Sequence, residues 1–193
     1  MGRRVVVIQG HPDPAGGHFC HALAKAYADG AAATGHEVRR IDVATLDFPL
    51  LRRKREFDDG EPPAAIVDAQ QGIHWAEHLL IVYPLWLGTM PALLKAFLEQ
   101  TMRPGFAHEI GERGWKRLLS GRSARVVVTM GMPALVYRVY FGAHGLKALE
   151  RSILGFCGIR PIRHNLVGNV EAYDHAARER WLQKMDALGR AGA

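Results

Sequence analysis

The 193-residue chain is 48% hydrophobic and 23% charged, an ordinary balance for a globular protein, and we expect a single domain over residues 1–193. With two cysteines and no apolar stretch near the ~20 residues of a membrane span, we expect neither a disulfide framework nor a membrane protein, and we place the chain in the cytoplasm. The formal charge of +6 suits an anionic cofactor. Nucleic-acid binding is not expected, because the densest basic run, residues 52–55, has no interleaved aromatic residues.

Short apolar runs alternate with helical patterns along the chain. The apolar runs predict five strands, which are Arg4–Gln9, Glu37–Val43, Leu79–Tyr83, Arg125–Thr129 and Pro161–Val167. Apolar residues at helical spacing predict five helices, which are Phe19–Thr34, Ala64–Ala76, Thr89–Thr101, Gly145–Phe156 and Ala172–Leu188. Because parallel strands need crossover connections, the alternation predicts a three-layer α/β/α sandwich with the doubly wound strand order 2-1-3-4-5. The longest irregular stretch, Asp47–Pro63, is expected to be an excursion within the domain.

Ligands of such open sheets bind beyond the carboxyl ends of the strands, where three predicted loops meet. The first loop, residues 11–18, contains Gly16 and Gly17, which permit close approach of the backbone to a ligand. The helix that follows offers free N–H groups and a positive dipole end, and these suit a phosphate. The loop is neither a G-x-G-x-x-G nor a Walker A sequence, and a plain Pro/Gly turn is the alternative interpretation.

The second and third loops add a wall and a possible proton donor. Residues 83–91 carry Trp86 among leucines, which would suit a flat apolar ring. The alternative interpretation of the same residues is a hydrophobic turn packed on its own core. Residues 129–133 include Gly131, where the backbone can again approach a ligand. Beyond them, Tyr137, Tyr140 and His144 supply phenols and an imidazole that we expect to face the same cleft, and a structural histidine is the alternative for His144.

Several motifs are shared with one family. They are Val5-Val-Val-Ile-Gln-Gly-His-Pro12, Val82-Tyr-Pro-Leu85 with Met90-Pro-Ala-Leu-Leu-Lys-Ala-Phe97, Arg103-Pro-Gly-Phe106 and Phe156-Cys-Gly158. Together they resemble the flavodoxin-like NAD(P)H:quinone oxidoreductases, a family that includes the mammalian quinone reductases and the bacterial ancillary oxidoreductases of potassium-efflux systems. The match covers nearly the whole chain.

The resemblance implies a flavodoxin-like fold, a bound FAD or FMN, NAD(P)H as co-substrate and a quinone or similar small molecule as acceptor. It implies ping-pong hydride transfer in a homodimer whose active sites lie at the interface. The implied cofactor-binding residues are His11, His18, Phe19 and Cys20 at the phosphate and ribityl chain, Pro84, Leu85, Trp86 and Leu87 at the ring, and Thr129, Met130 and Gly131 at its pyrimidine edge. Gly17 joins the first group from its place in the loop. The implied catalytic residues are His144, with Tyr137 or Tyr140 as a proton relay.

The chain also departs from the family pattern. His18-Phe19-Cys20 stands where the family often has Ser-Phe-Asn, and Leu87 aligns with the aromatic residue that stacks on the ring in mammalian members. Tyr137 and Tyr140 lie one and two residues from the partner tyrosine of that family. The long C-terminal extension of the mammalian enzymes is absent from the sequence, so FMN and FAD both stay open.

Other functions compete with this interpretation. The segment His74–His78 fits H-x-x-E-H, an inverted zinc-peptidase pattern, but it runs directly into an apolar strand. His18, Cys20 and His21 could form a metal site, although a first-turn position beside a phosphate explains them better, and no metal is expected. A soluble regulatory subunit of a membrane potassium-efflux transporter is the alternative function. An electron-carrying flavodoxin is disfavoured by the positive charge and by His144.

Overall fold

The computed structural model describes residues 2–111 and 114–193. Its strands are β1 (Arg4–Gln9), β2 (Glu37–Asp42), β3 (His78–Pro84), β4 (His108–Gly111), β5 (Gly114–Arg117), β6 (Ser123–Thr129) and β7 (Ile162–Val167). Five of them form one parallel sheet in the order β2-β1-β3-β6-β7, while β4 and β5 form a separate antiparallel hairpin. With β6 and β7 as the fourth and fifth strands of the sheet, the predicted order 2-1-3-4-5 is confirmed.

Seven α-helices are found in the described residues. They are α1 (Phe19–Ala33), α2 (Lys54–Asp58), α3 (Ala64–Trp75), α4 (Ala92–Thr101), α5 (Ala134–Val139), α6 (His144–Lys147) and α7 (His175–Arg190). A π-helical segment, Ala148–Leu154, continues α6, and short 3-10 turns occupy Val43–Thr45 and Val170–Ala172. Within residues 2–111 and 114–193, no helix combines the length and the apolar character needed to cross a membrane.

Some predicted boundaries were wrong for identifiable reasons. α4 begins at Ala92 rather than at Thr89, because Pro91 holds the extended N-cap conformation and Thr89 belongs to a tight turn. α7 begins at His175 rather than at Ala172, because the Asp174 side chain caps it by accepting a 2.7 Å hydrogen bond from the Ala177 N–H. The predicted helix over 145–156 is divided between α6 and the wider π-helical turns. The hairpin, α2 and α5 were not predicted, because the two hairpin strands and both helices are each six residues long or shorter.

The core lies on both faces of the sheet. On one face Val6, Ile8 and Leu79 pack with Ile66 of α3 and Phe97 of α4. On the other face, alternate strand residues pack against α1 and α7; they are Val5, Val7, Leu80 and Val82, with Leu23, Tyr27 and Met185 opposite them. Since both faces are covered, the strands read as continuous apolar runs without alternation.

The H-x-x-E-H segment does not form a zinc site. His74 lies exposed near the end of α3, whereas His78 begins β3 and is only 2% exposed. The Glu77 carboxylate accepts a 3.0 Å hydrogen bond from the Arg4 N–H, and His78 Nδ1 lies 2.7 Å from Ser123 Oγ. The pattern therefore spans a helix end, a connection and a strand, and its side chains are engaged separately. Among the described residues, no group of three His, Cys, Asp or Glu side chains has the arrangement of a metal site.

Candidate functional site

Three loops start side by side at the carboxyl edge of the sheet. The Gly10 N–H after β1 donates to Val82 O of β3 at 2.8 Å, and the Leu85 N–H after β3 donates to Thr129 O of β6 at 2.7 Å. The Met130 N–H in turn donates to Val167 O of β7 at 2.9 Å. These bonds extend the parallel ladder beyond the strands, so the three predicted loops leave the sheet as neighbours.

The first loop delivers an uncapped helix start. Gly16 and Gly17 have φ angles of 74° and 77°, and a Cβ added at either would meet nothing within 4 Å, so glycine is required there by backbone conformation rather than by space. His18 is the extended N-cap of α1, but its side chain makes no capping bond, and the first turn has no acidic residue. The first helical bonds run from the N–H groups of His21 and Ala22 to His18 O. The N–H groups before His21 precede the first helical hydrogen bond, which is the arrangement that favours an anion.

Three imidazoles surround this helix start. The rings of His11 and His18 stack with centroids 3.9 Å apart, and the His21 ring lies 5.2 Å from that of His11. His18 Nε2 lies 2.7 Å from Asp13 Oδ2, and the Asp13 N–H donates to His11 Nδ1 at 3.2 Å. Burial, then the neighbouring His18 and His21, lowers the pKa of His11 to about 4, against an opposing effect of Asp13. Burial and His18 also lower the pKa of His21, whereas the His18 hydrogen bond lowers the pKa of Asp13.

The second loop exposes apolar side chains beside these imidazoles. Pro84 and Leu85 lead into a two-residue turn closed by hydrogen bonds between Trp86 and Thr89, with N···O distances of 2.9 and 3.0 Å. Leu87 and Gly88 both have positive φ, at 47° and 81°, as in the primed turns of hairpins. A leucine in this conformation costs on the order of 1–3 kcal/mol, a strain that is common at functional sites. Trp86 is 51% exposed, and its ring lies 6.3 Å from that of His11. The turn therefore does not pack on its own core.

The third loop presents main chain rather than side chains. Thr129 and Met130 are buried, and Thr129 Oγ1 lies 3.0 Å from Cys20 Sγ. Burial raises the pKa of the Cys20 thiol to about 12, so Cys20 packs as a neutral core residue. Gly131 is exposed, and a Cβ added to it would lie 3.1 Å from Glu171 Oε1. The side chains of Cys20, Thr129 and Met130 are therefore buried in this structure, and Gly131 is the exposed main chain of this loop.

The two tyrosines near α5 have different environments. Tyr137 is 1% exposed; its hydroxyl accepts a 3.1 Å hydrogen bond from the Leu146 N–H and donates a 3.3 Å bond to Gly88 O. Burial also raises its pKa. Tyr140 is 82% exposed. Tyr137 therefore ties the second loop to α6, and Tyr140 is the phenol that solvent or a ligand can reach.

His144 lies at the exposed start of α6, close to the second loop. A Cβ added at Gly142 would lie 2.7 Å from His144 Nε2, and one added at Gly145 would lie 2.3 Å from Gly88 O. The imidazole thus rests against the chain that precedes it, and α6 approaches the Trp86–Thr89 turn closely. Asp13 was not singled out from the sequence. His21 was named as a first-turn position beside a phosphate but not among the cofactor-binding residues, although His21 lies three residues after His18 and hence on the same helix face.

A family model described as "Flavodoxin-like fold" matches residues 3–188. The chain belongs to this flavodoxin-like family. This chain is similar to the FMN-dependent NADH:quinone oxidoreductase 3 of Bacillus cereus, with 27% identity over 91% of this chain and 92% of that protein. An uncharacterized NAD(P)H oxidoreductase of Haemophilus influenzae is 25% identical over 92% of this chain and 90% of its own.

Solved structures show the same flavodoxin-like architecture. The NAD(P)H:quinone oxidoreductase from Methanothermobacter marburgensis superposes with a TM-score of 0.81 at 20% identity, and the alignment covers all of both chains. At that identity the likeness concerns the fold.

Proposed function

We propose that this protein is a flavin-dependent NAD(P)H oxidoreductase of the quinone-reductase type, with a quinone or similar small molecule as electron acceptor. The observation that carries the proposal is the meeting, at one sheet edge, of an uncapped helix start with an exposed tryptophan-bearing turn. A phosphate tail and a flat ring on one ligand match these two features. When bound, a flavin would supply two-electron hydride chemistry between NAD(P)H and the acceptor. The names of the family relatives support this assignment.

The first loop would hold the phosphate and ribityl chain. Its glycines leave the N–H groups of residues 17–20 ahead of the first helical hydrogen bond, and the dipole of α1 favours negative charge there. Phe19 lies partly exposed at the first helical position, next to the His18 cap. We propose FMN rather than FAD, since a terminal phosphate carries two negative charges and three imidazoles surround the helix start.

The second and third loops would hold the ring. Trp86 and Leu87 project from the strained turn and offer apolar surface, with Pro84 and Leu85 at its base. The Met130 N–H is engaged by Val167, whereas no residue in the described part of the chain accepts a hydrogen bond from the Gly131 N–H. A backbone donor at this position would stabilise negative charge that develops on the pyrimidine side.

His144 and Tyr140 would handle protons at the ring. Both are exposed, and His144 is held near the second loop by the close approach of α6 to Gly88. An imidazole can donate or accept a proton near neutral pH, and the exposed phenol of Tyr140 could relay it. Tyr137 would act differently, by fixing the distance between these elements through its two hydrogen bonds.

The acceptor site would be completed by a second copy of the chain. The hairpin exposes Ile110 and Trp115, and α5 exposes Leu135 and Val139. Exposed apolar groups of this kind mark interaction surfaces. A homodimer with active sites at the interface would cover them. The alternative function, a regulatory subunit of a membrane potassium-efflux transporter, stays a prediction. The fold is compatible with both functions, and only an identified transporter partner would distinguish them.

The experiment is steady-state kinetics of the FMN-reconstituted protein with NADH or NADPH and a soluble quinone. We expect parallel double-reciprocal lines, because the donor and the acceptor would use the same exposed ring face in turn. His144→Gln should lower kcat by roughly 10²-fold, within the range for lost acid–base catalysis, while the flavin stays bound. His74→Gln, an exposed histidine at the end of α3, is the matched control and should leave kcat unchanged. Equal turnover in both variants would remove His144 from the mechanism.

A further inference from the structure

Four side chains form one cluster at the start of α1. This imidazole cluster consists of His11, Asp13, His18 and His21. The ring centroids of His18 and His21 are 5.7 Å apart, and both rings lie within 5.2 Å of that of His11. A single carboxylate, Asp13, pairs with His18 within the cluster. The cluster therefore carries three protonatable rings against one fixed negative charge.

The Nε2–H group of His11 is a hydrogen-bond donor of the cluster that has no acceptor among the described residues. His11 Nδ1 accepts from the Asp13 N–H, so the ring proton of neutral His11 resides on Nε2. His11 is 8% exposed, and within residues 2–111 and 114–193 no partner accepts from this Nε2–H. The Nδ1 atom of His21 is buried without a hydrogen bond to any described residue. A buried polar atom of this kind is normally satisfied, and here it lies in the first turn of a helix whose start is uncapped.

The electrostatic surroundings keep these rings neutral in the absence of a ligand. His11 faces His18, His21 and Asp13. His21 faces His18 and Asp13, together with Asp42 and Arg40 of β2. Burial and mutual repulsion dominate over the two carboxylates, because the pKa of His11 and that of His21 are both lowered. A dianion placed among the rings would reverse this balance by favouring their charged forms.

We propose that the imidazole cluster binds the terminal phosphate of FMN with uptake of a proton from solvent, and that His21 and Asp13 belong to the phosphate site. The proposal rests on the proposed flavin function. A proton taken from water or buffer binds an imidazole nitrogen, which then donates to a phosphate oxygen, while the Asp13 carboxylate holds the ring of His18. No bond of the phosphate ester changes. FAD, whose phosphates are singly charged, should take up less proton, and riboflavin should take up none.

The sign of the pH dependence follows from linkage. Bound phosphate raises the pKa of the imidazoles above the values of the free protein, so the affinity for FMN is high at low pH and is lost as pH rises through the raised pKa. With one linked proton, the dissociation constant should rise roughly tenfold per pH unit in that window. Measurements should stay above about pH 6.5, where the phosphate is mainly a dianion, since its second pKa is about 6.

Isothermal titration calorimetry of FMN in two phosphate-free buffers of different ionisation enthalpy measures the proton uptake directly. We expect net uptake near pH 7 for wild type and for the control His74→Gln, and loss of most of it in His18→Gln and His21→Gln. Riboflavin serves as the ligand control. Proton uptake that persists in both cluster variants, or an FMN affinity independent of pH, would overturn the inference.

A second measurement separates this inference from the proposed function. Inorganic phosphate, added to the protein without flavin, should shift the imidazole NMR signals of His11, His18 and His21 and raise their titration midpoints. If no flavin binds at any pH but phosphate still produces these shifts, the proposed function fails and the cluster stands. If FMN binds and the midpoints do not move, the cluster fails and the flavin assignment stands.

Discussion

Tyr137 and Tyr140 lie three residues apart but have opposite roles in the structure. The Tyr137 hydroxyl is buried and joins the Leu146 N–H to Gly88 O, whereas Tyr140 faces solvent. The family resemblance left the two tyrosines equivalent, because both lie near the expected position. Burial separates them, and burial depends on how α5 packs over the sheet edge. We therefore propose a positioning role for Tyr137 and the proton relay for Tyr140.

Tyr137→Phe should lower the free energy of unfolding by about 1–3 kcal/mol, because it leaves the buried Leu146 N–H without an acceptor. Tyr140→Phe, the matched control, should change stability by no more than about 0.5 kcal/mol, as expected for an exposed side chain. Urea unfolding of both variants measures the difference. Equal stabilities would show that the Tyr137 hydroxyl does not fasten the second loop to α6.

At the scale of elements, the β4–β5 hairpin presents apolar side chains that the protomer does not cover. Ile110 is exposed, and Trp115 stacks on Phe156 with ring centroids 4.3 Å apart. The hairpin is separate from the main sheet, so its exposed residues do not contribute to the central core. A partner subunit that covers the hairpin would explain why the sequence places isoleucine and tryptophan there.

Ile110→Asp should therefore shift the protein from dimer toward monomer, since a buried carboxylate opposes association. Ala176→Asp is the control: it adds the same charge at an exposed site in the first turn of α7, on the opposite layer of the sandwich. Sedimentation equilibrium gives the oligomeric state of each variant. A monomeric wild type, or an Ile110→Asp variant as dimeric as the control, would contradict the interface.

At the scale of the whole molecule, the parts predicted from sequence are those with long or repeated patterns. The parallel strands of the central sheet follow from apolar runs, and their order is the doubly wound order predicted for five strands that alternate with helices. The contact between the side chains of Cys20 and Thr129 could not be predicted from such patterns. The sequence correctly places Cys20 in the first turn of a helix and Thr129 at the end of a strand, but it does not reveal that the two side chains face each other in the core. Asp13 was not singled out from the sequence, because a carboxylate is not expected beside a phosphate. Only the structure shows the contact with His18 that accounts for a carboxylate at this position.

The fold brings one sheet edge, one helix start and one exposed turn into a single site, and we propose that this site holds a flavin. The most direct test is titration of the purified protein with FMN, followed by absorption spectroscopy and by mass spectrometry of the flavin that denaturation releases. We predict a yellow protein with one FMN per chain. A colourless protein that takes up neither FMN nor FAD would contradict the account.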